Sequence, residues 1–194
     1  MSKEPTRFKQ TEIGELPEEW EVVRAEEDFE ITIGRTPRRN QLRYWDRNNE
    51  TDNFWATIED LKERFVTTTK ERISDEGVRA YHMRKVPEGT VLVSFKLTIG
   101  RVAIAGRPLY FNEAIAAFLP KLNCRFNRDF LFYALHLLPI WAEQQNLIDQ
   151  AVKGSTLNKE KLQRLLLPLP LKSKNKLLKC FAPLMQPLKT REDT

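Results

Sequence analysis

Histidine, cysteine and glycine are all scarce in this chain of 194 residues. The two histidines, His82 and His136, are the only side chains of ordinary pKa near neutrality. Neither has a Ser, Cys or carboxylate at a spacing that suggests a catalytic triad. The two cysteines, Cys124 and Cys180, have no CxxC or CxxH spacing, so neither a zinc site nor a disulfide framework is indicated. The 7 glycines form no GxGxxG, GxxxxGK[ST] or GxSxG string, and the nucleotide loops and hydrolase elbow that depend on them are missing. No apolar run approaches the roughly 18 residues that span a bilayer. The polar opening MSKEPTRFKQTEIG has no signal-peptide core, and the reading is a cytoplasmic chain with no membrane partner.

What is present describes a folded protein. Apolar residues make up 41% and charged residues 30%, a balance that suits a globular chain better than a disordered one. The length fits one domain with a core of its own. The net charge of +5 resembles a nucleic-acid signature until its position is considered. Residues 172–194 hold six Lys/Arg and two Asp/Glu, leaving 26 basic against 25 acidic residues, or +1, for residues 1–171. Whole-chain basicity therefore does not establish DNA binding, and local clusters must carry that case.

Along the chain, residues 1–19 are polar and read as an arm closed by Leu16-Pro17. WEVVR at 20–24 reads as a strand, and residues 34–53 as a long loop. Thr57 caps an expected short helix that places Ile58, Leu61 and Phe65 on one face, and Ser74–Val78 suggests another. Thr90–Phe95 and Arg101–Ala105 are β-branched runs joined by Lys96-Leu97-Thr98-Ile99-Gly100, a predicted hairpin. Ala114–Leu119 joins the same sheet. Asn127 caps a helix carrying Phe130, Tyr133, Ala134, Leu137, Leu138 and Trp141, which Pro139 must kink or divide. Gly154-Ser155-Thr156 reads as a turn, Asn158 as the cap of a helix through Arg164, and LLLPLP as an edge strand. Strands and helices mix without regular βαβ alternation. The expected class is α+β, or irregular α/β, with a small twisted sheet and flanking helices.

Chemistry is sparse. The carboxylates of EEDFE at 26–30 could hold Mg²⁺, but a solvated or helix-starting charge run is the commoner explanation. Basic groups are better placed. GRTPRRNQLRYW puts Arg35, Arg38, Arg39 and Arg43 beside Thr36 and Pro37 on a loop, where guanidinium forks can meet phosphate oxygens or guanine edges. An exposed, solvated loop is the competing reading. Lys96, Thr98 and Arg101 at the hairpin tip form a second candidate surface for DNA, and Lys153 with Ser155 and Thr156 a third. Tyr44, Trp45 and Trp55 suit base stacking, though structural packing explains them at least as well.

Taken in order, several segments over residues 8–171 resemble the target-recognition domain of type I restriction-modification specificity subunits. The family's IG-x-LP-x-x-W entry is matched by Ile13, Gly14, Leu16, Pro17 and Trp20. G-x-TP appears as Gly34, Thr36 and Pro37, and W-x-T-x-x-DL as Trp55, Thr57, Asp60 and Leu61. PEGTVLVS at 87–94, TIGRVAI at 98–104, NEAI at 112–115, GSTLNKEKL at 154–162 and a closing PLP complete the series.

This resemblance implies a recognition domain, here residues 20–171, that reads one half of a bipartite double-stranded DNA site through loops on a twisted sheet, like the small domain of certain adenine methyltransferases. It implies no catalytic residues, metal or cofactor in the chain itself. S-adenosylmethionine, ATP and Mg²⁺ would belong to partners: a modification subunit that flips and methylates the adenine, and a restriction subunit that cuts. Two other readings stay open, an inactive truncated remnant and an enzyme with an unrecognised site. The departure from the family lies in the basic tail, 172–194, where Pro183 and Pro187 would break the expected spacer helix. Codons chosen for Lys172–Thr190 and read from the third base of the first codon can encode EQKQIAEVLRTVDAAIEN, which resembles that helix. The tail is therefore expected to be an out-of-frame remnant of it.

Overall fold

Alternating apolar residues in three segments build the centre of the molecule. A computed structural model describes residues 7–151 and 154–170. Its strands are β1 (Phe8–Thr11), β2 (Gly14–Pro17), β3 (Glu21–Arg24), β4 (Phe29–Ile33), β5 (Phe54–Ala56), β6 (Phe65–Val66), β7 (Glu71–Arg72), β8 (Val91–Ser94), β9 (Val102–Ala105), β10 (Tyr110–Phe111), β11 (Ile115–Pro120), β12 (Asp149–Ala151), β13 (Gly154–Thr156) and β14 (Leu166–Leu169). The α-helices are α1 (Ala25–Asp28), α2 (Asp75–Ala80), α3 (Arg128–Leu135), α4 (Leu138–Gln144) and α5 (Lys159–Arg164). This is the α+β class expected. The anticipated β8–β9 hairpin is there, and β11 lies antiparallel to β8 on its other side.

The five-stranded sheet runs in the order β4-β11-β8-β9-β6. Side chains alternate across a strand, and here both faces are buried. Ile31, Val91, Val93, Val102, Ile104, Ala116 and Phe118 meet α3, α4 and α5 on one face. Leu92, Ala103, Ala105, Ile115, Ala117 and Leu119 meet Phe54, Ala56 and Phe111 on the other. Those last residues belong to a second sheet of order β10-β5-β7. Its opposite face turns Trp55, Tyr110 and nearby Ile73 into a smaller core with Trp45, Val78 and Met83. The layers therefore run from helices to large sheet, to small sheet, to the loop and α2 that cover Trp55.

Local expectations hold at several caps. Asn127 Oδ1 accepts from the Asp129 and Phe130 amides, Ser74 Oγ from Gly77, and Asn158 Oδ1 from Lys161. Pro139 divides the helical run: α3 closes at Leu135 and α4 restarts at Leu138, where a proline in the first turn loses no intrahelical bond.

Other expectations need correction. Thr57 does cap a turn, with Asp60 returning to it, but the 3-10 helix ends at Asp60. Phe65 lies instead on edge strand β6, 43% exposed, because pairing with β9 outcompetes a second helical turn. The N-terminal segment is no free arm over its described part. β1 and β2 form a hairpin, and Ile13 at its turn is buried in the main core. Gly154–Thr156 is a strand paired with β12 rather than a turn. Of EEDFE, Glu26, Glu27 and Asp28 do start a helix, lying in the first turn of α1 with Glu27 accepting from the Arg24 amide, but Asp28 is buried rather than solvated. It accepts from the backbone amide and guanidinium of Arg125. Lys153 and the tail at 172–194 lie outside the described residues.

Candidate nucleic-acid interface

Four strands of the large sheet reach one end together. Ile33 stands opposite Ala116, Ala116 opposite Val93, and Val93 opposite Val102. Three connections leave from this end: residues 34–53, 95–101 and 112–114. Backbone bonds tie them to one another. Arg35 donates to the Phe111 carbonyl at 2.9 Å, Phe95 to Ala114 at 3.0 Å, and Leu157 to Phe95 at 3.0 Å. Thr36 Oγ1 donates to the Glu113 carboxylate. Gly34 has no freedom to carry a side chain, since a Cβ there would lie 2.0 Å from the Phe111 oxygen and 2.3 Å from the Asn112 oxygen.

The first basic cluster divides in two. Arg35 stays at the sheet end, its Nη1 donating to the Tyr81 carbonyl at 2.8 Å, while its own carbonyl accepts from Trp55 Nε1 at 3.0 Å. Arg38, Arg39 and Arg43 run outward over the small sheet. Arg39 lies 4.2 Å from the Trp45 ring centre and 4.8 Å from that of Trp55, and pairs with Glu71. Arg43 pairs with Glu76 and donates to Tyr44 Oη, contacts that raise its pKa. The backbone of Arg38 is held by Tyr81 Oη and Trp45 Nε1. Its exposed guanidinium has no partner among the described residues. The tryptophans are thus packing residues: Trp55 is fully buried and meets Trp45 edge-on at 5.0 Å.

The second cluster is braced from beneath. Buried Ser94 donates through Oγ to the Thr98 carbonyl and accepts from the Arg101 amide at 3.0 Å. Thr98 and Arg101 are exposed, and Arg101 Nη1 reaches the Ile58 carbonyl at 3.5 Å. Lys96 is half-buried, its Nζ 5.3 Å from the Phe95 ring centre. Of the third cluster, Ser155 lies in β13, two positions before Leu157, so its backbone is delivered to this same end.

Residues 82–85, HMRK, form a further local basic group, of which sequence reasoning takes up only His82, as a catalytic candidate. His82, Met83 and Arg84 line a cleft of about 250 Å³ with Thr32, Ile33, Gly34, Arg35 and Phe111. Arg84 donates to Glu30 in a bidentate pair that lowers the Glu30 carboxyl below its ordinary range. Among the described residues, no group of three His, Cys, Asp or Glu is arranged to hold a metal ion. No described helix is long and apolar enough to cross a membrane.

A family model for the type I restriction modification DNA specificity domain matches residues 17–186. The chain is 32% identical over 119 residues to the type I restriction enzyme MjaIX specificity subunit of Methanocaldococcus jannaschii, covering 60% of this chain and 27% of that protein. It is 30% identical over 175 residues to the putative MjaX specificity subunit of the same organism, covering 84% and 38%. The chain thus spans about a third of the length of these curated relatives. Among solved structures, the HsdS subunit from Thermoanaerobacter tengcongensis superposes with a TM-score of 0.56 at 22% identity, over 80% of this chain and 34% of that one. A chain from a study of complex assembly and conformational transition of the type I R-M system gives 0.57 at 22% identity, over 80% and 35%. The two superpositions agree with the α+β fold described above.

Proposed function

This chain belongs to the type I restriction modification DNA specificity domain family, and from that membership we propose that it reads one half of a bipartite site on double-stranded DNA. The observation that carries this reading is the meeting of Arg35, Thr36, Lys96, Thr98 and Arg101 at one end of the large sheet, joined by the bonds through Phe111, Ala114 and Phe95. Phosphate contacts from guanidinium and ammonium groups position such a surface. Base contacts in the major groove supply its sequence preference.

Its contribution to restriction and modification is positional. In this proposal a modification subunit methylates the flipped adenine and a restriction subunit cuts, in the cytoplasm, with this chain setting where both act. The comparison with a type I R-M assembly study supports such partners. In the same proposal S-adenosylmethionine, ATP and Mg²⁺ are assigned to those partners, as the family resemblance implies. Residues 20–171 are proposed as the recognition domain.

Selection from a random duplex pool, using the full chain alone and with its modification subunit, tests the reading. Enrichment of one short sequence motif, with affinity that falls steeply with salt, is the expected result. A pool that stays random would overturn it, as would methylation or cleavage by the chain alone.

A further inference from the structure

Four non-glycine residues among those described have positive φ: Asn49, His82, Leu97 and Asn146. Asn and His are enriched in that region because their short polar side chains tolerate it. Leu97, with φ of 64°, has no such excuse. It is also 63% exposed, so no core contact explains an aliphatic side chain there.

The tip around it is braced by hydrogen bonds. Ser94 bonds to both Thr98 and Arg101, and the Gly100 amide donates to the Ser94 carbonyl at 2.9 Å. Gly100 has φ of 91°, and a Cβ on it would sit 2.6 Å from Pro139 Cγ, so the tip is seated directly on the α3–α4 junction. A braced turn therefore presents one apolar side chain to solvent, with Lys96, Thr98 and Arg101 around it.

Among the base edges of the major groove only thymine carries a methyl group, and that groove admits a two-stranded ribbon. Resting on the DNA-reading role above, we propose that Leu97 is a specificity-determining residue that packs against the 5-methyl group of a thymine in the recognised half-site. Thr98 and the flanking cations position it by hydrogen bonds and phosphate contacts. The Ser94 and Gly100 bonds hold the left-handed backbone at Leu97 in the free chain, so its side chain meets the duplex already positioned.

The test uses the full chain and a synthetic duplex of the sequence enriched in the selection, with each dT replaced in turn by deoxyuridine, which removes only the methyl. One position is expected to weaken parental binding about four-fold, the ~0.8 kcal/mol of one buried carbon at 1.4 kcal/mol per factor of ten. Leu97→Asn, which suits the backbone, is expected to bind the unmodified duplex more weakly and to ignore deoxyuridine at that position. Its thermal stability should equal or exceed the parent's. Leu97→Gly serves as a second variant with the same backbone tolerance. If no deoxyuridine position separates parent from variants, the Leu97 assignment is overturned while the recognition role stands. If the parent itself enriches no sequence, the recognition role fails first and takes this assignment with it.

Discussion

The guanidinium of Arg39 lies 4.2 Å from the ring centre of Trp45, while that of its neighbour Arg38 is exposed and has no partner among the described residues. Two adjacent arginines of one loop therefore have different work. Arg39→Ala should lower stability by about 1 kcal/mol, since the cation–π contact and the Glu71 pair are both partly solvated. Arg38→Ala should leave the melting temperature unchanged but reduce the slope of log affinity against log salt by about 0.9, one phosphate's worth. Equal effects of both variants on stability would contradict this division.

Gly34 is expected to be intolerant of any side chain. A Cβ there meets the carbonyl oxygens of Phe111 and Asn112 at 2.0 and 2.3 Å, and backbone cannot rotate away as a side chain can. Gly34→Ala should cost at least ~2 kcal/mol in urea denaturation, at the upper end of overpacking penalties. It should also weaken DNA binding by moving Arg35 and Thr36. A variant as stable as the parent would show that the β4 exit shifts freely.

Asp28 and Arg125 make the stability pH-dependent. Burial raises the Asp28 pKa, but hydrogen bonds from the Arg125 side chain and backbone, with its charge, outweigh this and hold the carboxyl below its ordinary 3.8. A depressed folded pKa contributes stability in full above the unfolded value and loses it as pH falls through the folded one. Asp28→Ala should cost about 2 kcal/mol at pH 7, the usual loss for hydrogen bonds to a charged group, since Arg125 is 38% exposed and keeps Glu27 as a partner. The gap from the parent should narrow below about pH 3.9. A gap that stays constant down to pH 2 would mean that the carboxylate charge contributes nothing.

Ser94→Ala removes the brace under the hairpin tip. Ser94 is fully buried and bonds to Thr98 and Arg101, so the loss should be about 1–2 kcal/mol. Amide hydrogen exchange at residues 96–101 should accelerate more than in the β11 strand. Unchanged protection at the tip would count against a bracing role.

Much of the scaffold was legible because local chemistry specifies it. Asn127, Ser74 and Asn158 cap the helices that follow them, and β-branched residues mark β8 and β9. The resemblance motifs now have physical reasons: Gly34 for a close backbone approach, Thr57 and Asp60 for a capping box, Ser94 and Gly100 for the tip. These are framework positions. The residues between them, Arg35 and Leu97 among them, are the ones that face outward. Phe65 misled because three apolar residues at helical spacing say nothing of the β9 edge waiting 39 positions downstream at Ile104.

From the sequence alone came the family resemblance, the mixed class, the hairpin and the basic loop. Only the tertiary structure decided that the segments carrying Arg35, Lys96 and Leu157, far apart in the chain, come to one end of the sheet, tied by long-range backbone hydrogen bonds at Phe111, Ala114 and Phe95. It alone committed Arg39 to Trp45, buried Asp28 against Arg125, and set Leu97 in a left-handed, exposed turn. Caps and strand patterns depend on neighbours in sequence. A site assembled from loops depends on where the sheet brings those loops together.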